Sequence, residues 1–363
     1  MFNLDDRKWK MFMMAEIFKV DLSKGDNQPS LLEEGSYPLI SAGTKNNGVC
    51  SFIKEGDGKS QLFEKNTITV DMFGTPFYHA YDFYSVSHGR VNILTAISEK
   101  FNKYIGLFIV SCIKEGTKIK YTYNKMCSQK RILRQPIMLP ITDDGQPDYE
   151  FMEQYIKERE MVKREQYLAY CKEQLKIFGG GYNLIPLADK KWKEIPIKML
   201  FSRFEFGKVN NASKLKKATT GGIEYIGATN RNNGCLYFVE IDEISCSKIQ
   251  KGNCIGFIKD GDGLAGYAIY KKESFISTVN VIYGYAEWIN EYTGLFFVAA
   301  QDLIKNKYSH GYKRNDGHLK GDKVMLPVNS SGEPDYDYME KYSKNLMRKK
   351  IQSYIDYASK PIL

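Results

Sequence analysis

Short apolar runs recur along the chain, and polar turn residues interrupt them at close intervals. Stretches rich in Ile, Val, Phe and Tyr are bounded by Gly, Asn and Asp clusters such as Lys45-Asn46-Asn47-Gly48 and Asp260-Gly261-Asp262-Gly263. This pattern predicts strands joined by turns, with a helix around Phe101–Lys114 and another around Asn290–Lys305. The period changes in two places. From Asp148 to Phe178, Leu168, Cys171, Leu175 and Phe178 recur at helical spacing among Glu, Lys, Arg and Gln, and from Asp335 to Tyr357 so do Met339, Tyr342 and Leu346. Each of these stretches is expected to be a long helix. Pro147-Asp148 and Pro334-Asp335 open them, where Pro fits a first turn and Asp faces the positive helix end. Gly179-Gly180-Gly181 closes the first.

The same words occur twice. Lys8-Trp9-Lys10 returns as Lys191-Trp192-Lys193, and Asn46-Asn47-Gly48 as Asn232-Asn233-Gly234. Val91-Asn92 returns as Val279-Asn280, and Tyr104 with Gly106-Leu107-Phe108 as Tyr292 with Gly294-Leu295-Phe296. Met138-Leu139-Pro140 and Gly145-Gln146-Pro147-Asp148-Tyr149 return as Met325-Leu326-Pro327 and Gly332-Glu333-Pro334-Asp335-Tyr336. The order is kept and the offset drifts only from 183 to 188, so the chain is a duplication with loop insertions. The expected fold class is α+β: strand-rich domains over 1–147 and 182–334, each followed by a helix, over 148–181 and 335–363. Alternating charge around a narrow apolar stripe suits helix on helix, so the two are expected to pair as an antiparallel coiled coil.

With 43% hydrophobic and 26% charged residues among 363, the chain reads as globular. A net charge of +9 suits a polyanionic partner without requiring one. Seven cysteines contain no C-x-x-C pair, which argues against a disulfide scaffold and a zinc site. Charged residues from Asp5 to Lys10 leave no apolar leader, and the longest apolar runs are too short to span a bilayer. A cytoplasmic protein with no membrane partner is expected.

Enzymatic motifs are missing. There is no phosphate-cradling glycine loop, no Asn/Asp-Pro-Pro-aromatic segment of an amino-methyltransferase, and no metal-ligand spacing among His79, His88, His310 and His318. Pro147-Asp148 followed by Glu150 and Lys157 partly matches a nuclease arrangement but lacks the short Glu-x-Lys, and a capping role fits both copies. Asp57 and Asp262 sit in glycine-rich turns, where Asp-Gly is a turn former. No catalytic residue and no metal ligand is assigned.

What remains is polar loops and clustered cations. Lys45, Asn46 and Asn47, and at the matching place Asn230, Arg231, Asn232 and Asn233, carry side chains able to read base edges: Asn pairs bidentately with adenine, and Lys or Arg with guanine. The alternative is a plain Asn-Gly turn. Lys118, Lys120, Lys125, Lys130, Arg131 and Arg134 interleave with Tyr121 and Tyr123, and Lys305, Lys307, His310, Lys313, Arg314, Asn315 and Lys320 interleave with Tyr308 and Tyr312. Cations with aromatics at matching places suit phosphate contact plus base or sugar packing. His79, His88 and Arg90 complete the DNA-binding candidates.

Three stretches carry a resemblance. They are Tyr37-Pro38-Leu39-Ile40 leading into Asn46-Asn47-Gly48, Ile68–Gly74 followed by Ser85–Leu94, and the Met-Leu-Pro…Gly-x-Pro-Asp-Tyr element opening each long helix. With the domain–helix–domain–helix plan, the chain resembles specificity subunits of type I and type IIB restriction–modification systems. The resemblance implies two target-recognition domains on double-stranded DNA, held apart by paired helices. It also implies a non-catalytic chain that docks methyltransferase subunits, and a restriction subunit where the system has one. S-adenosylmethionine and magnesium would belong to those partners, with no cofactor on this chain. With Val91 set opposite Val279, Ile276, Ser277 and Thr278 replace His88, Gly89 and Arg90. Either those residues are structural in the first unit alone, or the two units read different sequences. The competing reading is a bivalent anti-restriction or protein-interaction factor; a mimic of DNA should be acidic, and this chain is basic.

Overall fold

The structure, a computed structural model, describes residues 2–22, 29–54, 61–86, 91–261, 264–309 and 311–360. The chain divides into two compact units, Met1–Tyr167 and Leu168–Leu363. The first unit opens with β1 (Lys8–Met13), α1 (Met14–Ile17), β2 (Phe18–Leu22), β3 (Glu34–Ile40), β4 (Val49–Ile53), β5 (Thr67–Asp71) and β6 (Pro76–His79). It continues through β7 (Tyr84–Ser85), β8 (Val91–Ala96), α2 (Lys103–Thr117), α3 (Gln129–Leu133) and β9 (Pro136–Ile141) into α4 (Tyr149–Phe178), which ends in the second unit. There follow β10 (Trp192–Pro196), α5 (Ile197–Leu200), β11 (Arg203–Phe206), β12 (Ile223–Ile226), β13 (Cys235–Val239), α6 (Glu243–Cys246), β14 (Cys254–Ile258) and β15 (Ala268–Lys271). The chain closes with β16 (Phe275–Ser277), β17 (Val281–Tyr285), α7 (Glu291–Gln301), α8 (Asp316–Gly321), β18 (Lys323–Pro327) and α9 (Tyr336–Ala358).

The duplication holds strand for strand. Sheets of order β2-β8-β5-β6, β4-β3-β7 and β1-β9 in the first unit return as β11-β17-β14-β15, β13-β12-β16 and β10-β18 in the second. Even the parallel pairs recur, β3 with β7 and β12 with β16. Repeated residues make repeated contacts. The indole N–H groups of Trp9 and Trp192 donate to Leu4 O and Leu187 O, and the rings stack on Phe108 and Phe296, both with centroids 6.2 Å apart. Gly106 and Gly294 are glycines because a Cβ would stand 2.4 Å and 2.5 Å from the rings of Tyr78 and Tyr270. Asn102 and Asn290 cap α2 and α7 and donate to Glu153 and Glu340, tying each helix to its closing helix.

The closing helices begin as expected. Asp148 accepts from Phe151 N and pairs with Arg7, while Asp335 accepts from Tyr338 N and pairs with Lys190. Glu153 pairs with Lys157 along the helix face. Asp148 of the partial nuclease match is thus a helix cap, and its Lys157 pairs with Glu153. Gly179, at φ +64°, ends α4.

The division between the compact units falls inside the first long helix, whose opening turns fill the first unit's core: Phe151 and Met152 are buried with Phe108, Ile109 and Leu139. Met339 of α9 is likewise buried in its own unit with Phe296, Phe297 and Leu326. Val91 is not the counterpart of Val279. Ladder hydrogen bonds set register, and one short sequence match does not. Asp71 faces Val91 and Ile258 faces Val281, while Ile40 faces Ser85 and Ile226 faces Ser277. Val86 N and Thr278 N donate to those same isoleucine carbonyls, so Ser277 and Thr278 match Ser85 and Val86. The step from there to the next strand is two residues shorter in the second unit.

Candidate nucleic-acid interface

The paired Asn-Asn-Gly loops are turns of one unusual shape. Asn46, Asn47 and Gly48 have φ of +48°, +52° and +78°, and Asn232, Asn233 and Gly234 have +48°, +48° and +81°. Asn tolerates the left-handed region because its short side chain bonds locally, and Gly has no Cβ to clash. Ser41 N and Gly227 N close the loops by donating to Gly48 O and Gly234 O. In the second unit the side chains are spent on the fold, Asn232 donating to Cys235 O and Asn233 to Tyr270 O. The Asn-Asn-Gly repetition therefore follows from backbone geometry. Lys45, Asn46, Asn47 and Arg231 project as exposed side chains, with Asn230 half-buried.

The basic segments are where the units part. Six cations and no carboxylate lie between Lys118 and Arg134, and all six are exposed. Lys118 sits 3.7 Å from Glu115, Lys120 donates to Gln135 Oε1 and Arg131 to Met126 O. Among the described residues no carboxylate partners Lys125, Lys130 or Arg134. Tyr123 is exposed, edge-on to Phe73, whereas Tyr121 is buried and donates to Gln135. In the second unit Lys307, Lys313 and Lys320 pair with Asp322, Asp260 and Asp316, and Lys305 lies over the ring of Tyr267. Tyr312 stacks on Tyr308 and His318, and Asn315 caps α8.

Two candidates are removed from the surface. Arg314 is fully buried, its Nε donating to Asp322 Oδ2 at 2.9 Å and Nη1 to Gly266 O. It anchors the core. Burial lowers its pKa, with Asp322 opposing. His79 is fully buried between Thr69 and Tyr81, and burial holds its pKa at about 4, so it is a neutral ring at neutral pH. His88, Arg90 and His310, like Asp57 and Asp262, lie outside the described residues. The carboxylates that decide which cations stay free, Asp260 and Asp322, escaped the sequence reading. For Asp322 the signal was the presence of acids in one segment and their absence from the other; Asp260, 53 residues before Lys313, gave no local signal.

Among the described residues no cluster of His, Cys, Asp or Glu could hold a metal ion, and no helix is long and apolar enough to cross a membrane. One α+β fold used twice, each copy closed by a helix and carrying an exposed cationic loop, defines a tandem-domain protein. The model of one protein family, described as type I restriction modification DNA specificity domain, matches residues 6–168 and 189–354. The chain belongs to this family, and two such domains in tandem make it the specificity subunit of a restriction–modification system. It is similar to the specificity subunit of a type II restriction enzyme of Heyndrickxia coagulans, at 25% identity over 95% of this chain and 96% of that one. Its fold is similar to that of a type I restriction–modification S subunit from M. genitalium, with a TM-score of 0.52 at 14% identity, covering 99% of this chain and 94% of the other.

Proposed function

We propose that this chain reads a bipartite, asymmetric target in double-stranded DNA, one half-site per unit, and docks the methyltransferase subunits of its system. A restriction subunit joins where the system has one. Methyl transfer and cleavage, with S-adenosylmethionine and magnesium, belong to those partners, and this chain supplies recognition in the cytoplasm. In this reading α4 and α9 pair as an antiparallel coiled coil and fix the gap between half-sites. One observation carries the proposal: a shared scaffold displays unlike cations at equivalent places, Lys125, Lys130 and Arg134 without a carboxylate partner among the described residues of the first unit, and Lys307, Lys313 and Lys320 ion-paired in the second. Identical scaffolds with different surfaces suit two unlike half-sites. A mobility-shift assay with and without co-expressed methyltransferase subunits tests it. Retarded duplex, competed poorly by unrelated sequence, is expected; a complex that binds no duplex contradicts it.

A further inference from the structure

The turn closing α2 breaks a local rule. Lys118 takes φ −53° and ψ 124°, Ile119 takes φ +59°, and Lys120 N donates to Thr117 O at 3.0 Å. These are the features of a type II turn, whose third residue has positive φ and is normally Gly or Asn. A β-branched residue there crowds its own backbone. Burial does not compensate. Ile119 is 95% exposed, the most exposed large hydrophobic among the described residues. Folding thus leaves a strained apolar side chain in water, which nothing within the first unit rewards.

The second unit keeps the rule. Lys120 and Lys307 both reach the residue before the last strand of their unit, Gln135 and Asp322, which sets Asn306 opposite Ile119. Asn306 lies in a short 3-10 helix, Asp302–Lys307, and does not have positive φ. The departure therefore belongs to the unit whose basic segment keeps Lys125, Lys130 and Arg134 without a carboxylate partner among the described residues, while Lys118 lies 3.7 Å from Glu115. Lys118 and Lys120 flank Ile119, with exposed Tyr123, Lys125, Lys130 and Arg134 following.

An apolar group held out among exposed cations suits a polyanion with apolar surface between its charges. DNA is one: phosphates meet the cations, and base and sugar faces meet the side chain. A membrane surface would ask for an extended apolar face, not one isoleucine. Resting on the DNA reading above, we propose that Ile119 is an apolar DNA contact of the first unit, packed on base or sugar surface within that unit's half-site.

The test uses the full chain co-expressed with its methyltransferase subunits and a pool of random-sequence duplexes. Ile119→Asn and Ile119→Gly relieve the turn, so the melting temperature should rise by about 2 °C. Duplex affinity should fall about tenfold, with base preference lost at one or two positions of one half-site. The salt slope should stay unchanged because no cation is removed. Ile119→Val should keep both affinity and preference. Unchanged affinity and preference in the Asn and Gly variants would overturn the assignment while leaving DNA reading intact. So would a fall in melting temperature, which marks a structural role, or binding to phosphatidylserine vesicles that depends on Ile119. A wild-type complex that enriches no sequence would remove the DNA reading itself, and this assignment with it.

Discussion

Lys118–Arg134 and Lys305–Asp322 hold the same place on the same fold, but their charges are handled differently. In the first, Lys120 and Tyr121 converge on a neutral amide, Gln135, with Cys127 buried nearby. In the second, Lys307, Tyr308 and Arg314 converge on the buried carboxylate of Asp322. Arg314 takes the position of Cys127, since each donates its backbone N–H to the residue just after the equivalent strand, Met72 or Lys259. A cation that could have faced a phosphate instead supports the core. Duplication has kept the capping, stacking and ladder contacts while letting ion pairing diverge, and surface charge is what a DNA-reading domain has to vary.

Breaking the two convergence points should separate the units most. Asp322→Ala strands a buried guanidinium and should cost about 3–5 kcal/mol, read as a large fall in the unfolding midpoint of the second unit. Gln135→Ala removes a neutral amide from the exposed Lys120 ammonium and the Tyr121 hydroxyl and should cost the first unit about 1–3 kcal/mol. Equal costs would mean that the buried ion pair has no special weight.

Acid should distinguish the units next. His79 has a folded pKa of about 4 against an ordinary 6.5, so the unfolded chain binds the extra proton between those values. Stability from the neutral ring is complete above pH 6.5 and declines as pH falls toward 4. Between pH 7 and 4.5 the first unit should become less stable by about 2–3 kcal/mol through this residue. His79→Gln should flatten that decline in denaturant titrations. Lys271, paired with Glu224, occupies the equivalent place in the second unit.

DNA binding gives a third contrast. Charge reversal of Lys130, Arg131 and Arg134 should reduce the salt slope by about one unit for each phosphate left without its cation. Reversing Lys307, Lys313 and Lys320 should reduce it less, because Asp322, Asp260 and Asp316 already neutralise them. Equal changes would show that the ion pairs open on binding. The smallest effect is geometric. Four residues inserted near Met161 lengthen α4 by about 6 Å, which should widen the gap by one or two base pairs at about 3.4 Å per step. Sequencing of methylated sites reads this, and an active variant with an unchanged gap would show that α4 is not the spacer.

The repeat, the strand-and-turn grammar and both closing helices were legible in the sequence, because period, caps and glycine turns are local properties. Loop pairing was only partly so. Val91-Asn92 and Val279-Asn280 match as words, yet Asn92 is buried, donating to Val70 O and Cys127 O, while Asn280 lies in the turn before β17. Arg314 and His79 looked like surface candidates because a cation's burial depends on partners far along the chain, which no local pattern reveals. The Asn-Asn-Gly loops show the converse: side chains able to read bases repeat because the backbone asks for left-handed residues.

The most direct test of unlike half-sites on a common scaffold is a chimera in which Trp9–Pro140 replaces Trp192–Pro327, expressed with the methyltransferase subunits and read by methylation-aware sequencing. The wild-type chain should yield two different half-sites separated by unread base pairs. The chimera should yield the first unit's half-site twice with the gap unchanged. An active chimera that still methylates the original two-part target would contradict the assignment of one half-site to each unit.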